Sequence, residues 1–364
     1  MTQPSIPPTE PGAASAAALA EDYQRFIRLG HRRLPLTLYM QERDYRSATL
    51  NTDALGLRYS HWSSKRLSLA ERGGLARVNL LVGGSTAQGI GASCDARTVA
   101  SFLSTLSGEA WLSLAGCGLN ATQELMLFLT HQHRLSKVGH VVVLSGLNTL
   151  AHEALAEWVG SDPAQTELRA CEQFLSTFHE GMQVQPRADS IWQRLRERWF
   201  CTPAPLRIAA APCTPPEQRL MRAADCIGRT LRQWQQLLAG SDTTLTFMLQ
   251  PWLPWCREEL PPGEQVMLAA LQRQAKPFDG LLAGIGAEHH AGFFRRIKRQ
   301  ADEVPCYDMN GMLSSSPVFA EQLFIDRLHF NDLGNNALAK VITAKLGLAQ
   351  EKHPGRKGVP VKLV

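Results

Sequence analysis

A serine hydroxyl becomes a nucleophile only when a base takes its proton, and the base works only when a third group holds its ring. Two distant stretches of this chain carry those three residue types. The first is Leu80-Leu81-Val82-Gly83-Gly84-Ser85-Thr86-Ala87-Gln88-Gly89. The apolar run from Val78 to Val82 predicts a buried strand, two glycines allow a sharp turn, and Ser85 is the first side chain able to project from it. The second stretch is Phe324-Ile325-Asp326-Arg327-Leu328-His329-Phe330. Asp326 and His329 stand three apart, close enough for the carboxylate to grip one imidazole nitrogen and leave the other free. Each stretch alone has a plainer reading. Glycine–serine turns join strands to helices or cradle phosphates, and an Asp and a His can simply decorate the start of a helix.

Acyl transfer also needs donors aimed at the oxygen that becomes negative. Trp111 to Asn120 reads as a strand ending in a loop with Gly116 and Gly118, and Val141 to Asn148 as a strand ending in Gly146 and an amide. A glycine N–H and an Asn side chain can supply such donors.

Taken in order, strand ends carrying Ser, Gly, Asn and Asp-x-x-His resemble the sequence blocks of the SGNH (GDSL-type) hydrolase family, over roughly residues 78 to 345. The resemblance implies a three-layer α/β/α, flavodoxin-like core and hydrolysis of acyl esters or thioesters through an acyl-enzyme. It makes Ser85 the nucleophile and a backbone oxyanion donor, His329 the base and Asp326 its orienting partner. Gly118 and Asn148 complete the oxyanion donors, with Gly116 the alternative to Gly118. No metal and no organic cofactor is implied. Three departures mark a divergent branch: Gly84 and Thr149 stand where the family usually has Asp, and Ser113 where it often has Asn. An acyltransferase using the same intermediate and a binding module without turnover are the alternatives. The α/β-hydrolase fold fits less well, because Ala87 occupies the last position of its Gly-x-Ser-x-Gly turn.

These groups need a scaffold. Strands are expected near 78–82, 110–114, 140–144, 244–251 and 306–309, with helices near 98–106, 121–134, 217–238, 264–274 and 287–302 between them. A last helix, capped by Asn331 or Asp332, runs to about Ile342. Such alternation predicts a parallel sheet with helices on both faces. Residues 151–216 exceed one crossover and read as a helical insertion that could form a lid. The domain spans 19–350, between a disordered leader at 1–18 and a flexible tail at 351–364, with a first helix near 21–29. Trp252-Leu253-Pro254-Trp255 reads as a rigid loop whose indoles either hold an acyl chain, an aromatic acid or a sugar face, or simply pack. The turn-rich stretch from Asn51 to Arg58, before the first strand, reads as structural, with Arg58 a candidate anion contact.

Composition narrows the partners. The 364 residues are 44% hydrophobic and 20% charged, with a net charge of +5, which is ordinary for a globular protein. The basic clusters at Arg194–Arg198 and Arg295–Arg299 read as solvated helix faces, so no nucleic-acid partner is expected. The eight cysteines are scattered without a Cys-x-x-Cys pair, which fits reduced thiols and a cytoplasmic protein. Neither a secretion signal nor a bilayer-length apolar run is visible. The expected partner is a small-molecule or carrier-bound acyl substrate, met in small-molecule biosynthesis.

Overall fold

Five short apolar runs pair side by side in one parallel sheet: β1 (Arg77–Gly83), β2 (Trp111–Ala115), β3 (Lys137–Ser145), β4 (Thr244–Leu249) and β5 (Cys306–Asp308). The structure, a computed structural model, describes residues 16–34, 38–71, 74–155, 170–176, 214–272 and 280–348. The spatial order is β2-β1-β3-β4-β5, the doubly wound order of flavodoxin-like folds. The chain leaves β1 toward one edge for β2, then crosses back to β3. That reversal opens a crevice at the carboxyl ends of β1 and β3, where such sheets bind ligands.

The helices are α1 (Ala16–Arg28), α2 (Ser85–Gln88), α3 (Val99–Ser107), α4 (Ala121–His131), α5 (Leu147–Glu153) and α6 (Pro216–Leu238). They continue as α7 (Leu253–Cys256), α8 (Pro262–Gln272), α9 (Ala287–Gln300), α10 (Met309–Leu313) and α11 (Asp332–Lys345). Because side chains alternate along a strand, Leu80, Val82, Val141, Val143 and Phe247 face α4, α5, α6 and α9. Leu81, Val142, Leu144 and Met248 face α3, α10 and α11. Both faces are covered, so the strands read as unbroken apolar runs. Each buried leucine-sized side chain contributes about 1.5–3 kcal/mol.

All five expected strands form. β3 starts at Lys137, ahead of the expected His140, and α4 stops at His131, giving way to a 3₁₀ turn over Gln132–Arg134. α1 begins at Ala16, inside the segment expected to be disordered, and α5 begins at Leu147. The Trp252 segment coils into the short helix α7 instead of staying a loop. Two antiparallel pairs, Arg32–Arg33 with Tyr39–Met40 and Ser60–Trp62 with Lys65–Leu67, were not foreseen. The rest of the leader, residues 156–169 and 177–213 of the expected insertion, and the tail lie outside the described residues. Among the described residues no helix is long and apolar enough to cross a membrane, and no group of three His, Cys, Asp or Glu could hold a metal ion.

Candidate active site

The turn after β1 is built for close approach. Gly83 has φ +154°, and a Cβ on it would overlap the Leu144 carbonyl. A Cβ on Gly84 would run into Nδ2 of Asn148, which explains why glycine stands there and not an acid. Ser85 then opens α2, which ends at Gly89 in the left-handed region at φ 83°.

The second stretch folds into a tight hairpin-like loop. Phe324 bridges Phe330, their rings 4.4 Å apart, and the Ile325 N–H donates to the His329 carbonyl at 2.9 Å. Asp326 works at both of its oxygens. Oδ1 accepts from the Leu328 and His329 N–H groups at 2.8 Å each, closing the loop. Oδ2 accepts from Nδ1 of His329 at 2.7 Å. A carboxylate only accepts, so Nδ1 carries the proton and Nε2 is left as an acceptor. The Ser85 hydroxyl donates to that Nε2 at 2.7 Å. The His329 and Asp326 side chains are 15% and 19% exposed, so the relay lies at the rim, open to a substrate. Thr86 fixes the two loops together, its hydroxyl donating to the Leu328 carbonyl at 3.2 Å. Beyond α2, Ser93 donates its N–H and hydroxyl to Asp332 at 2.7 and 2.5 Å, pinning this loop to the start of α11.

Candidate donors stand at the neighbouring strand ends. The Ser85 N–H is the first of α2 and has no acceptor within the helix. Gly118, at φ +79°, has an N–H with no acceptor among the described residues, whereas the Gly116 N–H is taken by the Gly83 carbonyl at 3.2 Å. Asn148 donates one Nδ2 hydrogen to the Leu119 carbonyl at 2.9 Å and lies against Gly84. That leaves it a second hydrogen. Thr149 accepts from the Ala121 N–H at 3.0 Å and so holds the start of α4.

The outlying candidates divide. Trp252 and Trp255 are almost buried and meet edge to face at 5.0 Å, with the Trp255 indole N–H donating to the Gly286 carbonyl at 3.0 Å. Trp255 is therefore a packing residue. Trp252 also lines a cleft of about 340 Å³ with Pro254, Leu268, Leu282, Ile285 and Arg327, next to the loop that carries Asp326 and His329. Arg58 is not an anion contact. It is 0% exposed, pairs with Asp95 at 2.9 Å and donates to the Thr49 and Gly89 carbonyls at 2.6 Å each. Its charge is spent fastening the segment before β1 to the end of α2.

Two residues absent from the sequence reading hold the Gly118 loop. Tyr39 donates to the Gly118 carbonyl at 2.7 Å, and His152 donates from Nε2 to the same oxygen at 3.1 Å. Nδ1 of His152 accepts from Asn120 at 3.2 Å. Burial pushes the His152 imidazole down to about 3, so it stays neutral, as one donor and one acceptor require. Its spacing of four from Asn148, on one helix face, was a readable signal. Tyr39 had none.

No family model and no curated protein matches the sequence. Among solved structures the chain is similar to an acetyl xylan esterase, at 11% identity over 74% of this chain and 99% of that one, with a TM-score of 0.39. It is similar to a lipase from a goat rumen metagenome at 12% identity, over 74% and 96% of the two chains, with a TM-score of 0.38. An extracellular lipase from Streptomyces rimosus shares 11% identity over 74% and 98%, with a TM-score of 0.36.

Proposed function

We propose that this chain is a divergent SGNH (GDSL-type) serine hydrolase acting on acyl esters or thioesters. One observation carries the reading: Ser85 Oγ, His329 and Asp326 form an unbroken relay of two 2.7 Å hydrogen bonds. Ser85 Oγ attacks the acyl carbonyl carbon while its proton passes to Nε2 of His329, and Asp326 stabilises the imidazolium that forms. The carbonyl oxygen, now negative, takes hydrogen bonds from the Ser85 N–H, the Gly118 N–H and Asn148 Nδ2. Collapse breaks the bond to the leaving alcohol or thiol, which takes the proton from His329. Water, activated by the same imidazole, then releases the acid from Ser85. The apolar wall of the Trp252 cleft suits the acyl group, which favours small or medium acyl chains as substrates.

Hydrolysis of p-nitrophenyl acetate by the parent and by Ser85→Ala tests the assignment, with a short acyl thioester alongside to separate the two substrate classes. Turnover should fall by about 10⁴-fold or more without the hydroxyl. A fluorophosphonate should label Ser85, and the label should be lost in His329→Ala. A folded parent with neither turnover nor label overturns the proposal.

A further inference from the structure

The acid–base loop is rooted on a buried carboxylate. Glu264, in the first turn of α8, is 0% exposed. Its Oε1 accepts from the N–H groups of Leu323 and Phe324 at 2.9 and 3.1 Å, the residues that lead into Asp326. Its Oε2 lies 3.1 Å from Nε of Arg257, angled off a linear hydrogen bond, so this contact is ionic. Arg257 also donates to the Glu321 carbonyl at 2.9 Å and lies 4.2 Å over the Phe319 ring. It directly follows α7, where the Leu253 N–H donates to the Arg327 carbonyl at 2.9 Å, inside the acid–base loop.

Burying an ion pair costs desolvation that well-packed apolar side chains avoid, so stability alone is a weak reason for this one. What the carboxylate adds is direction. One oxygen receives two successive backbone donors, which holds the root of the hairpin in a single register. The far side of the loop is held by the Asn331 N–H, which donates to the Leu323 carbonyl at 2.9 Å. The position of His329 over Ser85 is thus set from both ends.

We infer that Glu264, held by Arg257, is a positioning residue that sets the Asp326–His329 pair over Ser85 and couples it to the Trp252–Trp255 turn. This role rests on the serine-hydrolase reading above. Glu264→Gln keeps an oxygen for the two N–H groups and removes the ionic tie to Arg257. With p-nitrophenyl acetate, kcat should fall by about 10- to 100-fold while KM stays within about threefold, as expected when a base is displaced by a fraction of an ångström. Fluorophosphonate labelling of Ser85 should slow in proportion. The downfield proton resonance of the His329 Nδ1–H held by Asp326 should shift or broaden. That resonance tests the positioning even in a protein without turnover, so failure of the hydrolase reading and failure of this one remain distinct. If Glu264→Gln does not fold, Glu264→Gln combined with Arg257→Met, which leaves no buried charge, is measured with the same expectation. A folded variant with parental kcat, labelling rate and proton resonance overturns the inference.

Discussion

Two histidine–carboxylate pairs stand at the carboxyl edge of the same sheet with nearly equal exposure, and they are wired in opposite senses. His329 and Asp326 meet at 2.7 Å, with side chains 15% and 19% exposed. His290 and Asp308 meet at 3.1 and 3.0 Å through both carboxylate oxygens, with side chains 16% and 22% exposed. Asp326 takes Nδ1, the nitrogen nearer the backbone, and leaves the outer Nε2 for Ser85. Asp308 takes Nε2, so the outer nitrogen is consumed. The His290 ring then lies stacked on Trp255, with centroids 5.0 Å apart. Asp308 is further held by the N–H and side-chain amide of Asn310 at 3.0 Å each. Burial pushes the Asp308 carboxyl up, but the hydrogen bonds from His290 and Asn310 outweigh it and hold the group below its usual range. The second pair fastens α9 to the end of β5. Base competence thus belongs to the remaining ring nitrogen and what it can reach, not to a histidine–carboxylate contact as such.

That contrast can be broken most directly at the two acids. Asp326→Asn offers an amide N–H toward Nδ1, favours the wrong tautomer, and should lower kcat by about 10⁴-fold. Asp308→Asn, which touches neither Ser85 nor His329, should leave kcat/KM within about threefold; a hundredfold loss there would erase the distinction. Asn148→Ala, which removes one oxyanion donor and touches neither pair, should cost about 10²–10³ in kcat with little change in KM.

Stability measurements extend the comparison to a carboxyl in the interior. Glu124 accepts from the Ser145 hydroxyl at 2.7 Å through Oε1. Its Oε2 has no partner among the described residues, and it borders a void of about 10 Å³ beside Thr230 and Trp234. Burial pushes its carboxyl from an ordinary 4.5 up to about 8. The neutral acid's contribution is therefore complete below about pH 4.5 and is lost as pH rises through about 8. Glu124→Gln, which does not ionise, should gain on the parent across that window in thermal melts, by on the order of 2–4 kcal/mol at pH 8. The smallest effect is expected at the second pair. His290→Ala should cost about 1 kcal/mol near neutral pH. Because the Asp308 carboxyl is depressed, that difference should shrink as pH falls from its ordinary 3.8 through its lower folded value.

Much of this was legible in the chain. Strands buried on both faces leave unbroken apolar runs, so Leu80 to Val82 and Val141 to Leu144 could be placed without coordinates. Ser85, Asp326 and His329 could be singled out by residue type and spacing alone. What stayed hidden has one cause. Arg58 stood as a candidate anion contact within a structural stretch, because nothing local shows that Asp95, Thr49 and Gly89 would enclose it. Glu264 marks only the start of an expected helix in the sequence, because its partners lie about sixty positions away at Leu323 and Phe324.

By itself the sequence determined the sheet's strands, the glycine turn that projects Ser85, and the loop in which Asp326 can reach His329, because each depends on residues within a few positions of one another. Only the tertiary structure decided that His329 meets Ser85 across 244 residues, that the Gly116 N–H is used up while that of Gly118 has no acceptor among the described residues, and that Asp308 takes His290 through Nε2, the nitrogen that His329 keeps for Ser85. Those outcomes turn on distances of a few tenths of an ångström between separate strand ends. The packing of the sheet and its two helical layers sets such distances, and no local pattern of residues encodes them.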